Sequence, residues 1–242
     1  PYAVCERVCM PWVDMLKEMR EQQVPLLSLE SKTPLNQFDL VGFTLQYQMS
    51  YTNILEMLDL GGIPVLCEER RESDPFVVAG GPCAFNPEPL CPFIDAFMIG
   101  DGEQSIIDVT NTVMEGRKAG LSRGEILRKL AGLRGVYVPS LYQVSYHEDG
   151  TFQSIRPIDP AAPERVLRYF VTDFEHAYIP TKPPVPYTQV VFDRIMLEIM
   201  RGCTRGCRFC QAGMLYRPVR ERSVETLVQA ARESIANTGY EE

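Results

Sequence analysis

The feature that most restricts the fold of this chain is a recurring unit, a short unbroken apolar run followed by a stretch of helical periodicity. DLVGFTL (39–45) precedes TNILEMLDLGG (52–62), and FVVAGG (76–81), DAFMIG (95–100) and GDGEQSIIDVTNTVMEG (100–116) continue the series. Apolar runs without polar alternation read as strands buried on both faces. Helices between such strands imply a doubly wound parallel sheet with helices on both sides. The same pattern places a strand at 2–8 (YAVCERV), a helix at 10–24 with Pro11 in its first turn and Trp12, Leu16 and Met19 on one stripe, and a strand at 63–68 (IPVLCE). Gly61 and Gly62 stop the helix before that last strand.

The character changes after residue 120. LSRGEILRKLAGL reads as a helix with a capping box, Ser122 at the cap and Glu125 three residues on. VYVP and YQVSYHEDGTFQSI follow, the latter a hairpin turning at Asp149-Gly150. YIPTKPPVPYTQ carries Pro180, Pro183, Pro184 and Pro186, which suit an extended linker and no helix or central strand. The expected organisation is an α/β domain at 1–120, a connecting helix, hairpin and linker at 121–190, and a further domain from 191 to 242. That domain opens with a strand at 195–200 (IMLEIM). Its helix runs from a Ser223 cap to a Gly239 stop, with Val224, Leu227, Val228 and Ile235 as its buried stripe.

With 45% hydrophobic residues in 242, the chain can bury a core. A formal charge of −8 argues against coating nucleic acid by bulk electrostatics. No membrane span or signal peptide is written in the sequence, so the cytoplasm is the expected compartment, with no membrane partner. Eight cysteines, three of them clustered, then favour reduced thiols and metal binding over disulfides. The chain opens in an expected strand and closes just after an expected helix, which leads us to expect truncation at both ends.

The cluster is RGCTRGCRFCQAG, with Cys203, Cys207 and Cys210 between the strand at 195–200 and the helix after Ser223. Loops at the carboxyl ends of parallel strands are where such folds place chemistry. Spacings of four and three let one loop bend three thiolates toward a common point. Three ligands suit an iron-sulfur cube with one iron open to an exogenous ligand, whereas electron-transfer clusters normally take four cysteines. Arg201, Arg205, Arg208, Arg217, Arg220 and Arg222 surround this negative site, either as a solvated rim or as a grip on an anionic cofactor or an RNA or peptide substrate.

The C-x3-C-x2-C spacing after a strand, with Phe209 before the last cysteine, resembles the radical S-adenosylmethionine (radical SAM) enzymes. RGCTRGCRFCQAGMLYRPVRERS is similar to the subfamily with a cobalamin-binding-like, Rossmann-like domain upstream. The resemblance implies that Cys203, Cys207 and Cys210 bind a 4Fe-4S cluster whose open iron chelates S-adenosyl-L-methionine, with Phe209 near the adenine. It also implies reductive cleavage to a 5′-deoxyadenosyl radical, for methyl or methylthio transfer or another radical modification. A flavodoxin- or ferredoxin-type electron donor would serve the parent protein, and RNA, protein and small molecules stand open as substrates. Residues 191–242 would be the first βα unit of a partial TIM barrel. Too few residues follow Cys210 to close that barrel, so this fragment is expected to be inactive by itself.

FTLQ (43–46), AGGP (79–82) and GDGE (100–103) resemble strand-end loops that face a corrin ring, which makes Thr44, Leu45, Gly80, Gly81, Gly100 and Gly102 candidate cobalamin contacts. The histidine motif of many such domains is absent, and tight turns without ligand are the competing reading. For the cysteines, the competing reading is structural zinc with His176 as fourth ligand. Cys5, Cys9, Cys67, Cys83 and Cys91 read as packing residues, and Met10, Met15 and Met19 as core. Three functions stand side by side: a radical SAM enzyme, a corrinoid- or partner-binding module with a non-catalytic cluster, and a structural zinc protein.

Overall fold

A computed structural model describes residues 3–188 and 190–240. The first residue of the strand expected at 2–8 and the last of the proline-rich stretch, Tyr2 and Gln189, lie outside the described residues, as do Pro1, Glu241 and Glu242. The chain divides into two compact units, residues 1–169 and 170–242.

The first unit runs α1 (Val13–Glu21), β1 (Leu40–Thr44), α2 (Tyr51–Leu60), β2 (Phe76–Gly80), β3 (Ala96–Met98), α3 (Ser105–Lys118), α4 (Arg123–Ala131), β4 (Val136–Tyr137), β5 (Tyr142–Tyr146) and β6 (Phe152–Pro157). The strands β1, β2 and β3 are parallel neighbours, with Leu40 opposite Phe76 and Val78 opposite Ala96. Strand β4 joins the far edge antiparallel, Phe97 opposite Tyr137. The sheet is therefore mixed: VYVP, expected with the antiparallel material, completes the main sheet instead. The hairpin β5–β6 stands as its own two-stranded sheet, turning through Gly150 at φ +81°.

Side chains alternate across the strands, and both faces are covered. Val77, Ala79 and Phe97 pack with Ile54, Met57 and Leu58 of α2, while Phe76, Val78 and Ala96 pack with Val109 and Val113 of α3 and Ile126 and Leu130 of α4. Burial on two sides is why the strands read as continuous apolar runs. Each fully buried valine, leucine, isoleucine or phenylalanine among them contributes about 1.5–3 kcal/mol. Leu16 and Met19 of α1 pack on the first cluster, but Trp12, expected beside them, is the exposed N-cap.

Two expected strands are absent from the described residues. Residues 3–8 form no ladder; Arg7 pairs with Glu30 at 2.7 Å and Glu6 accepts from Ser31 at 2.6 Å, so the segment is tied to the 29–31 loop rather than to the sheet. Residues 63–68 form no strand because the Arg70 guanidinium takes the carbonyls of Pro64 and Val65, each at 3.1 Å, which a ladder would need. The same arginine is one of three members of a buried charge network. Asp95 Oδ2 accepts from Arg70 Nη1 at 2.8 Å, Arg123 Nη2 at 2.7 Å and the Val77 amide at 2.7 Å. This carboxylate fastens the start of β3 to β2 and to the first turn of α4.

The second unit holds β7 (Met200–Arg201), α5 (Ala212–Leu215), β8 (Arg220–Glu221) and α6 (Val224–Thr238). The strand expected at 195–200 is reduced to its last residue, and its partner is the antiparallel β8, with no parallel neighbour among the described residues. The helix α6 starts and stops as its sequence requires: Ser223 Oγ accepts from the Thr226 amide at 3.2 Å, and Gly239 closes it at φ +75°. Its covered face, however, carries Ala230 and Ser234, and Val224, Val228 and Ile235 are exposed. A ribbon of two-residue strands offers no sheet face on which that apolar stripe could lie. No helix among the described residues is long and apolar enough to cross a membrane.

Candidate metal centre

The cysteine loop leaves β7 through Gly202, whose φ of +89° and close approach demand glycine: a Cβ there would sit 2.7 Å from the carbonyl oxygens of both Tyr216 and Pro218. The loop then runs from Cys203 to Cys210 and turns directly into the four-residue helix α5. The Cys210 amide donates to the Cys207 carbonyl at 3.1 Å, which makes the turn between the second and third cysteines. Two main-chain amides point at sulfur. Arg205 N–H donates to Cys203 Sγ and Gly213 N–H to Cys210 Sγ, both at 3.4 Å. Cys203 and Cys210 are half-buried and Cys207 is exposed.

Among the described residues, no group of three His, Cys, Asp or Glu side chains is drawn together closely enough to hold a metal ion. The loop thus presents its thiols along one bend without closing them on a point. Its donor chemistry still fits an iron-sulfur cluster: three soft sulfur ligands, with amide N–H groups already directed at two of them, the hydrogen bonding that stabilises thiolates on iron. His176, the fourth ligand of the zinc reading, turns its Nδ1 to Asp173 at 2.9 Å. Phe209, expected beside an adenine, is 92% exposed.

The arginines divide. Arg205 and Arg208 are exposed on the loop. Arg217 donates from Nε to the Cys203 carbonyl at 3.3 Å and from Nη2 to the Arg205 carbonyl at 2.9 Å. Arg220 and Arg222 are buried: Arg220 Nη1 holds the Val171 carbonyl at 2.8 Å, and Arg222 Nη1 the Ala177 carbonyl at 2.9 Å while its guanidinium stacks on Phe174. Arg201 pairs with Glu198 at 2.7 Å. The reading of the series as a uniform rim or anion grip missed this inward role, and no local pattern in RPVRERS reveals it, since the carbonyls that Arg220 and Arg222 hold lie as many as 49 residues away.

At the segments expected to face a corrin, the structure shows close packing of the chain on itself. Leu45 is fully buried and Thr44 exposed at the end of β1. A Cβ on Gly81 would come 2.9 Å from the Leu45 carbonyl, and one on Gly100 would overlap the Tyr169 carbonyl, while Gly80 lies against Met98. Only Gly102 of the four faces open space. The glycines admit the chain's own backbone, as Gly100 and Tyr169 also form a parallel bridge. A concavity of about 450 Å³ is lined by Phe85, Glu88, Ile99 and Tyr137 among others.

Of the remaining cysteines, Cys83 is buried and Cys67 and Cys91 half-buried, in keeping with packing. Burial is the main cause pushing the Cys67 thiol up to about 12 and Cys91 well above the ordinary thiol range, so both are protonated and inert at neutral pH. Cys5 and Cys9 are exposed instead, because the segment that carries them stays outside the sheet.

Residues 1–139 match the family described as "Radical SAM proteins, N-terminal". The uncharacterized protein MJ0966 of Methanocaldococcus jannaschii is 27% identical over 223 residues, 91% of this chain and 40% of that protein. The uncharacterized methyltransferase PH0819 of Pyrococcus horikoshii is 26% identical over 162 residues, 64% of this chain and 29% of that protein. The chain thus spans less than half the length of either relative.

Proposed function

Because the chain belongs to the family of radical SAM proteins matched through their N-terminal domain, we propose that residues 203–210 hold a 4Fe-4S cluster for radical chemistry on S-adenosyl-L-methionine. Cys203, Cys207 and Cys210 are the ligands, one iron being left for the substrate cofactor. When bound, the cluster supplies the single electron that cleaves the sulfonium and gives a 5′-deoxyadenosyl radical. The amides of Arg205 and Gly213 keep their hydrogen bonds to the Cys203 and Cys210 sulfurs and so orient two of the three ligands. The exposed guanidiniums of Arg205 and Arg208 offset the negative charge of the sulfur ligands. The bare ring of Phe209 is available to cover an adenine. In this reading residues 191–242 are the first βα unit of a partial barrel, and the parent protein takes electrons from a flavodoxin- or ferredoxin-type donor. The name of the Pyrococcus relative supports methyl transfer as the outcome.

The observation that carries the reading is the gathering of three thiols on one eight-residue bend, two of them already accepting main-chain hydrogen bonds. Anaerobic reconstitution of the full-length protein tests it. Broad absorption near roughly 400 nm is expected, reduced by Cys203→Ala, Cys207→Ala or Cys210→Ala, and with S-adenosyl-L-methionine and a reductant 5′-deoxyadenosine should form. Tightly bound zinc and no iron would overturn the reading.

A further inference from the structure

Resting on the reading of 203–210 as a cluster loop, we infer that Arg217 is the positioning residue that sets the bend between its first two cysteines. The guanidinium donates from Nε to the Cys203 carbonyl and from Nη2 to the Arg205 carbonyl, at 3.3 and 2.9 Å. These carbonyls lie two residues apart in the chain, and a planar fork that engages both fixes the backbone between them in a way a lysine ammonium cannot. That stretch also carries the Arg205 amide that donates to Cys203 Sγ. Arg217 therefore acts on the sulfur through the main chain: with the Cys203 and Arg205 carbonyls held, the Arg205 N–H stays directed at the ligand atom. Neighbouring arginines have other work, Arg222 holding the carbonyls of Glu175 and Ala177.

The clamp lies at the edge of the loop, open to solvent. Cys203 and Arg217 are half-buried and Arg205 exposed, so water can replace the guanidinium at these carbonyls. Loss of Arg217 then falls on the shape of the loop, and partners that orient metal ligands typically change metal affinity about 10–100-fold when removed.

The test uses the full-length protein, reconstituted anaerobically with ferrous iron and sulfide, as wild type, Arg217→Ala and Arg217→Lys. Far-UV circular dichroism checks the fold, iron per chain checks loading, and iron loss to a chelator and the midpoint potential report the ligand environment. Iron retention is expected to fall about tenfold or more in Arg217→Ala, with a shifted potential, and to be intermediate in Arg217→Lys, whose single ammonium engages one carbonyl at a time. If Arg217→Ala loses its native spectrum, Arg217→Lys decides. Wild-type retention and potential in a folded variant that lacks the fork overturn the inference while leaving the cluster reading intact. A wild type that takes up no iron overturns the cluster reading, and this inference with it.

Discussion

Replacing Asp95 by alanine removes the carboxylate on which two buried arginines converge. The Arg70 and Arg123 side chains are 0% and 9% exposed and that of Asp95 2%, so the pairings run in a medium that screens poorly. Asp95→Ala deletes three hydrogen bonds at once, two of them from guanidinium groups, and leaves two cations without their shared anion. Breaking a buried pair from one side costs about 3–5 kcal/mol. The arginines retain main-chain partners, Arg70 at Pro64, Val65 and Phe93 and Arg123 at Asp74 and Pro75. The lower end of that range, about 3 kcal/mol, is therefore expected. Urea unfolding followed by far-UV circular dichroism measures it. Asp95→Asn keeps an acceptor for the Val77 amide and should cost less, about 2 kcal/mol. A loss below about 1 kcal/mol for Asp95→Ala would show that the network is not the fastening between β2, β3 and α4 argued above.

Glu175 accepts from Ser223 Oγ, Thr226 Oγ1 and the Ser223 amide, which together hold it at about 2 against an ordinary 4.5. Since the folded pKa is the lower one, the stabilisation is complete above pH 4.5 and lost as pH falls from there toward 2. Hydrogen-exchange protection at the first turn of α6, taken relative to the intrinsic rate at each pH, should fall in that window, and Glu175→Gln should abolish the fall; constant wild-type protection would refute it. Gly100→Ala places a methyl on the Tyr169 carbonyl at a φ of +117° and should cost at least about 2 kcal/mol. Gly102→Ala, with nothing within 4 Å, should stay within about 1 kcal/mol in the same denaturation assay. Ser122→Ala removes the capping box of α4 and should cost about 0.5–2 kcal/mol by thermal unfolding.

Whatever depends on neighbours a few residues apart was written in the sequence. The Ser122–Glu125 box, the turn at Asp149-Gly150, the Ser223 and Gly239 ends of α6 and the three parallel strands were all readable from side-chain spacing, because caps, turns and periodicity are local. The spacing of Cys203, Cys207 and Cys210 was readable for the same reason. The tertiary structure alone decided which segment completes the sheet: VYVP does, and IPVLCE, equally apolar, does not, since Arg70 captures its carbonyls from outside the run. It also decided that Gly81 and Gly100 admit the chain's own backbone, and that Arg217, Arg220 and Arg222 turn inward to carbonyls. The Asp95 carboxylate meets arginines 25 and 28 residues away. Such partners are chosen by the energy of burying charge and unpaired carbonyls once the chain has closed on itself, and no short stretch of sequence carries that information.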